Sequence, residues 1–338
     1  MTEYHDYSLL HHNTFGIEAR CHTFLGFASC EEACEVVRRI SGSDSPFIII
    51  GGGSNLLLTR DFEGTVVRSQ MRGVTVLQET DDSVLVSVGS GECWDELVAT
   101  CVERGWHGAE NLSLIPGDVG ASAVQNIGAY GVEACDLIES VEAIRIRDAQ
   151  AVTIPASECQ YGYRQSRFKG EWKNQYLITR VVYRFSRFFR PRLDYGNIRA
   201  ELELRGIAKP SPRQLRQVII DIRREKLPDP QVEGNAGSFF MNPVVSREKY
   251  LQLCAQYPSM PHYFVDEQHE KIPAGWMIDQ CGWKGRTMGR AGVHDRQALV
   301  LVNRGGASGQ EIVDLCRAVK ESVKEKFGID IHPEVNII

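Results

Sequence analysis

The sequence predicts an α+β fold, and three observations predict it. Apolar residues recur at helical spacing behind capping residues, as at 29–40 and 308–327. Short β-branched or alternating runs, such as Phe47 to Ile50 and Val84, Val86 and Val88, read as strands. Glycine-rich turns join these runs without a fixed period: 31 glycines in 338 residues is about 9%, against a usual ~7%. A chain of 338 residues implies two or three units with substantial cores. With 43% hydrophobic and 24% charged residues, disorder, collagen and coiled coil are excluded. Lys+Arg 38 against Asp+Glu 44 gives a net charge of −6 with no basic block, which argues against a nucleic-acid partner.

Met1 to Arg20 carries acidic residues and histidines but no apolar core segment, so neither a signal nor a transit peptide is expected. No apolar run approaches the ~18 residues of a membrane span. The ten cysteines contain no Cys-x-x-Cys, and their scatter predicts reduced, buried thiols in a cytoplasmic protein rather than a disulfide framework or a metal site.

In chain order, Ser29 and Glu32 have the spacing of a capping box, with Ala33, Val36, Val37 and Ile40 on one helical face. Phe47 to Ile50 breaks at Gly51-Gly52-Gly53-Ser54-Asn55 and Leu56 to Leu58 resume, predicting strand, glycine turn, strand. Trp94, Leu97, Val98, Cys101 and Val102 follow a helical period up to Gly105. Leu114 to Gly131 shows little periodicity and reads as a long, ordered, ligand-facing loop. Strand-like runs recur from Val141 to Phe185, interrupted around Tyr161 to Arg164 and by the polar stretch Lys169 to Gln175. Ser211-Pro212 opens a helix with Leu215, Val218, Ile219 and Ile222 inward, and Pro228 and Pro230 end it. Ser308 and Glu311 form a second capping box before Ile312, Leu315, Val319, Val323 and Phe327. The tail then alternates as a strand, with Ile329, Ile331, Val335 and Ile337 on one face and Glu334 on the other.

The Gly51–Asn55 turn could present backbone N–H groups to a diphosphate, but it is not a Walker loop, and Leu56 stands where the dinucleotide fingerprint needs glycine. Alone it would be only a tight turn. A second loop, Ile115 to Gly131, adds Gly117, Gly120, Ser122, Gln125 and Asn126, and two backbone-rich loops suit an extended dinucleotide. A third irregular segment, Gly234 to Pro243, holds Ser238 outside any Gly-x-Ser-x-Gly elbow. Taken singly, Ser238 is a structural serine, Arg164 a surface cation and Glu334 a solvated carboxylate.

Together these segments change that reading. Gly51-x-Gly-Ser-Asn55, Ile115-Pro-Gly117, Gln125-Asn-x-Gly-Ala-Tyr130-Gly131, Tyr163-Arg164-x-Ser166, Lys226-Leu-Pro, Gly234-Asn-Ala-Gly-Ser238-Phe-Phe-x-Asn242-Pro243, Ala274-Gly-Trp-x-Ile-Asp279 and Pro333-Glu334-Val335 closely resemble the UDP-N-acetylenolpyruvoylglucosamine reductase family, in order and over nearly the whole chain. The resemblance implies an FAD-binding fold of the vanillyl-alcohol-oxidase type, with subdomains at 1–68 and 69–206 and an α+β substrate-binding domain at 207–338. It also implies the subtype with a tyrosine loop over the substrate. The chain departs from the family pattern at Asp118, Ala123 and Met241. A carboxylate at 118 would weaken attraction for a diphosphate unless it turns away.

The implied reaction reduces an enolpyruvyl ether to a lactyl ether, with NADPH as reductant and non-covalent FAD held by Gly51 to Asn55, Gly117, Gly120, Ser122, Gln125, Asn126 and Gly131. Arg164 would polarise the substrate carboxylate, aided by a Glu334 that is protonated or orients Arg164 or a water, and Ser238 would donate the proton to carbon. Tyr130, Tyr195, Lys226, Asn242, Tyr263, Lys271 and Gln297 would bind the nucleotide sugar. The partner expected is this small molecule alone, bound by a monomer, with no nucleic acid, membrane or metal. Two other readings share parts of the pattern. A flavin oxidase would share the first two loops but not Gly237-Ser238-Phe-Phe or Glu334, and a silent nucleotide-sugar binding protein would not need Arg164, Ser238 and Glu334 together.

Overall fold

The computed structural model describes residues 1–338 and divides into two compact units. The first comprises residues 1–7, 21–52 and 62–223, and the second 8–20, 53–61 and 224–338. This division differs from the expected boundaries: two early segments join the last part of the chain, and 207–223 packs with the first unit through Leu215, Val218, Ile219 and Ile222 against Ile198 and Leu202.

In the first unit, one sheet has the order Thr2–Ser8, Arg20–Phe27, Phe62–Ser69, Phe47–Ile50, the last three running parallel. Helix α1, Cys30–Ser41, lays its Ala33, Val36, Val37 and Ile40 face into a core with Leu25, Phe27 and Val67. Only half of the expected capping box forms. Ser29 accepts from the Glu32 N–H, but Glu32 reaches past Ser29 to the Ala28 N–H and the Met1 amino group. The second sheet is antiparallel throughout, in the order Gln150–Pro155, Ile138–Arg145, Tyr176–Ser186, Ser83–Gly89, Val74–Glu79. Val84, Val86 and Val88 are fully buried in a core shared with Trp94, Leu97 and Val98 of α2, Trp94–Arg104, whose Gly105 cap adopts the left-handed conformation.

The expected loop at 114–131 is not wholly irregular. It contains a short helix α3, Val119–Gln125, followed by a small hairpin of Gly128–Ala129 with Val132–Glu133. Sequence periodicity hid this helix because Gly120 and Ser122 face inward, where helical patterns usually show large apolar residues. Gly120 is required there, since a Cβ would lie 2.9 Å from the Ser90 Cβ. The unit closes with α4, Ile198–Leu204, and α5, Pro212–Lys226, and the division between units falls in the last turn of α5.

The second unit buries Phe239, Phe240, Met277, Ile278, Leu315 and Phe327 in one core. Its main sheet is Gly234–Asn235, Leu301–Asn303, Ala291–Val293, Thr287–Met288, antiparallel. A three-stranded sheet joins Val244–Ser246, His269–Lys271 and Tyr263–Asp266. Helices α6, Arg247–Gln256, α7, Ala274–Gln280, and α8, Gly309–Phe327, complete it, and α8 carries both halves of the Ser308–Glu311 capping box. The tail is mostly not a strand. Asn336–Ile337 pairs parallel to Leu56–Leu57 and Pro333 makes an isolated antiparallel bridge with Phe240, while Ile329, Ile331 and Val335 are buried and Ile337 is exposed.

All ten cysteines are free thiols, but only Cys21, Cys101, Cys159 and Cys316 are buried, and Cys30 is exposed at the start of α1. No helix is long and apolar enough to cross a membrane.

Candidate active site

In the first unit, Gly51 and Gly52 follow the Phe47–Ile50 strand and meet the start of α3. A Cβ on Gly51 would lie 3.2 Å from that of Ala121, and one on Gly52 would lie 3.3 Å from the Gly117 Cα. The two glycine loops predicted from sequence are therefore brought together. Asp118 stands at their junction, its carboxylate 3.8 Å from the Arg68 guanidinium and close to Gly52. Burial pushes its carboxyl above the usual range, against the pull of Arg68 and Arg72.

Ser122 and Asn126 spend their side chains inside the fold. The Ser122 hydroxyl donates to the Val119 carbonyl at 2.7 Å and shares a hydrogen bond with the Tyr183 hydroxyl. Asn126, in the left-handed conformation, donates to Glu133 and the Gly162 carbonyl and accepts from the Cys135 N–H. Gln125 differs: its Oε1 is buried with no partner. A buried carbonyl oxygen seeks an N–H or O–H donor. A flavin with its ribityl chain carries both kinds, so the close approach of the Gly52 and Gly117 backbones and an unsatisfied acceptor fit this group.

Arg164 has a positive φ of 55° and donates through Nη2 to the Gly128 carbonyl at 2.7 Å, which fixes the guanidinium against the 126–131 loop. Tyr130 and Tyr195 interlock. A Cβ on Gly196 would lie 3.7 Å from the Tyr130 ring, and one on Gly131 would lie 3.5 Å from the Tyr195 Cβ. The sequence reading missed Arg223, one turn before Lys226 on α5. Its Nε is buried without a partner, burial pushes its pKa down, and Tyr130 and Arg164 are among its charged or titratable neighbours. Its spacing from Lys226 was the one available signal.

In the second unit, Gly53 has a φ of 69°, and a Cβ there would collide with the His12 carbonyl oxygen. Asn55 donates to the Glu334 carbonyl at 3.3 Å and accepts at its own carbonyl from the Asn336 N–H. The turn thus anchors the segment bearing Glu334. That segment runs beside Ser238 to Asn242: Glu334 N–H donates to the Phe239 carbonyl at 2.8 Å, and Met241 N–H to the His332 carbonyl at 3.0 Å. Ser238 is exposed, while Phe239 and Phe240 bury the next two positions and hold it outward. Two residues distant in sequence, Ser238 and Glu334, are therefore adjacent in the fold. Asn242 accepts from the Ala274 N–H at the start of α7. Tyr263 and Lys271 face each other across two strands, with the ammonium 5.7 Å from the ring centroid. Gln297 lies against Gly275 and accepts weakly from the Leu299 N–H.

A glycine-lined backbone cradle with an unsatisfied buried acceptor defines the class: residues 24–154 match the FAD binding domain family, and the fold is that of the vanillyl-alcohol-oxidase type with an added C-terminal domain. Residues 229–338 match the family described as UDP-N-acetylenolpyruvoylglucosamine reductase, C-terminal domain. The chain is 56% identical over 336 residues to UDP-N-acetylenolpyruvoylglucosamine reductase of Bacteroides fragilis, covering 98% of this chain and 99% of that one. It is 46% identical to the protein of that name from Chromobacterium violaceum, covering 98% of each chain. The crystal structure of the Thermus caldophilus reductase superposes with a TM-score of 0.67 at 23% identity, over 99% of this chain and 98% of that one. The chain belongs to the UDP-N-acetylenolpyruvoylglucosamine reductase family.

Proposed function

We propose that this chain reduces the enolpyruvyl ether of UDP-N-acetylglucosamine to UDP-N-acetylmuramate, using NADPH and non-covalent FAD, in the synthesis of peptidoglycan precursors. Full-length identity to reductases of that name carries the reading. The structural support is the bond from the Glu334 N–H to the Phe239 carbonyl, which sets the segments of Glu334 and Ser238 side by side.

FAD, which Gly51 to Asn55, Gly117, Gly120, Ser122, Gln125, Asn126 and Gly131 would hold, would supply the hydride for the substrate methylene carbon, with NADPH as the source of the two electrons. Negative charge then develops on the adjoining carbon and its carboxylate. The Arg164 guanidinium, anchored through Nη2 to the Gly128 carbonyl, donates to that carboxylate. Ser238 Oγ–H gives its proton to the adjoining carbon. A hydroxyl is a weak acid in water, so its effectiveness rests on positioning by the buried Phe239 and Phe240. Glu334, on the segment beside Ser238, serves to orient Arg164 or a water near the developing charge. Lys226, Asn242, Tyr263, Lys271 and Gln297 serve the nucleotide sugar together with Tyr130 and Tyr195, whose interlocked loops support the tyrosine-loop subtype. NADPH as the reductant supports a cytoplasmic location.

The test is optical. The purified protein should be yellow, release its flavin on acid precipitation, lose the visible flavin band on anaerobic NADPH addition and recover it on adding the enolpyruvyl substrate. A bleached flavin that the substrate leaves reduced would overturn the reading, and flavin retained in the acid pellet would overturn non-covalent binding.

A further inference from the structure

Asn111 is almost fully buried in a tight turn at Glu110–Leu112, at 3% exposure. The turn is held from all sides. Glu110 accepts from the Gly108 N–H at 2.8 Å and pairs with His107 Nδ1 at 2.9 Å, Ser113 Oγ–H donates to the Glu110 carbonyl at 2.6 Å, and Trp94 Nε1–H donates to the Leu112 carbonyl at 2.9 Å. From this anchored turn the Asn111 amide donates both its protons to backbone carbonyls on two separate loops: Tyr130 at 2.8 Å and Arg192 at 2.9 Å. Two carbonyl acceptors fix the amide's orientation, since only the NH₂ end can serve both.

Those loops carry Tyr130 and Tyr195. Tyr130 itself sits at a φ of 49°, a conformation a bulky residue keeps only when its surroundings hold it. Arg192 repeats the tie from the other side, donating to the Gly131 carbonyl at 3.2 Å. We infer that Asn111 is a positioning residue for nucleotide-sugar binding, one amide clamping the Tyr130 loop to the strap that bears Tyr195. Its role toward substrate rests on the function proposed above; the clamp itself does not.

The clamp has a readout that needs no ligand. The Arg192 carbonyl belongs to the Arg192–Leu193 bond, a trypsin site on an exposed segment, whereas the Arg190–Pro191 bond is protected by its proline. A protease must take hold of that carbonyl, so the Asn111 hydrogen bond guards it. In Asn111→Ala, with flavin content and thermal melt near wild type, nicking after Arg192, identified by fragment mass, should quicken about tenfold. The dissociation constant for UDP and the KM for the enolpyruvyl substrate should rise by a similar factor, the scale of one or two net hydrogen bonds. The kcat should stay within about threefold. Asn111→Ser, which keeps one donor, should fall between. Wild-type nicking and UDP affinity in a folded Asn111→Ala protein would overturn the inference, and so would loss of fold in both variants, which makes the residue merely structural. Should the wild-type protein fail to bind UDP while Asn111→Ala still nicks faster, the clamp stands and the proposed substrate falls.

Discussion

Asp95 on α2 and Arg216 on α5 form a two-pronged ion pair, with Nη1 and Nη2 at 2.7 and 3.0 Å from the two carboxylate oxygens. Both side chains are largely covered, and Asp95 also accepts from the Leu114 N–H. Burial works against ionisation, but the Arg216 and Leu114 hydrogen bonds outweigh it and hold the carboxyl below its usual value. A carboxyl depressed by folding contributes stability above its unfolded pKa, near 3.9, and that contribution disappears as pH falls through the lower folded value. Asp95→Asn should therefore cost about 2 kcal/mol at pH 7. The cost should shrink toward zero under strong acid, as read by urea melts across pH.

Asp118 has the opposite sign. Its folded carboxyl is raised, so ionisation costs stability as pH rises from the unfolded pKa through the folded one. Asp118→Asn should stabilise the protein at neutral pH, on the order of 1 kcal/mol, and confer nothing well below pH 4. It should also tighten FAD binding to the apoprotein, because the carboxylate adjoins the Gly51–Gly52 backbone. Weaker flavin binding in Asp118→Asn would show instead that the carboxylate accepts a hydrogen bond from the cofactor.

Lys226→Ala should raise the KM for the nucleotide sugar far more than it lowers kcat. A diphosphate contact remote from the reacting carbons acts equally on ground and transition states. The loss of one charge-assisted contact is about 1.5–3 kcal/mol. A collapsed kcat with unchanged KM would place Lys226 in proton transfer.

Ser238→Ala should separate the half-reactions. Flavin bleaching by NADPH needs no proton at the substrate carbon and should run near the wild-type rate. Reoxidation by the enolpyruvyl substrate should slow by about 10² to 10⁴. Stopped-flow absorbance resolves the two, and near-normal reoxidation in a well-folded variant would remove Ser238 from catalysis.

The elements legible in sequence were those whose own residues carry the signal. Helix α8 shows its capping box and inward face without reference to any partner. The Val84, Val86, Val88 alternation marks one sheet, and the Trp94 to Val102 period marks a helix that shares its core. Local pattern fails where distant chain decides. Helix α3 is stabilised by Gly120 against Ser90 and by Ser122 against Tyr183, contacts no short window displays. Helix α6 buries only Leu253 and so lacks a periodic face. At the site, motif resemblance named Ser238 and Glu334 but could not show that Asn55 pins the Glu334 segment, nor that the Ser122 and Asn126 side chains bond within the fold. Asn111 and Arg223 stayed hidden because one acts through backbone carbonyls and the other is a lone arginine on a helix already rich in them.

The pairing of Leu56–Leu57 with Asn336–Ile337, extended by Thr59 donating to the Ile338 carbonyl across 279 residues, also sets a schedule for folding in the cell. At about 5–20 residues per second, the ribosome needs roughly 15 to 55 s to make the partner after the first strand emerges. During that interval Leu56, Leu57 and Leu58, all buried in the finished protein, lack their partner strand while residues of both units are still being synthesised. This stretch is where a nascent-chain chaperone would have most to cover, and where faster elongation would most directly raise yield.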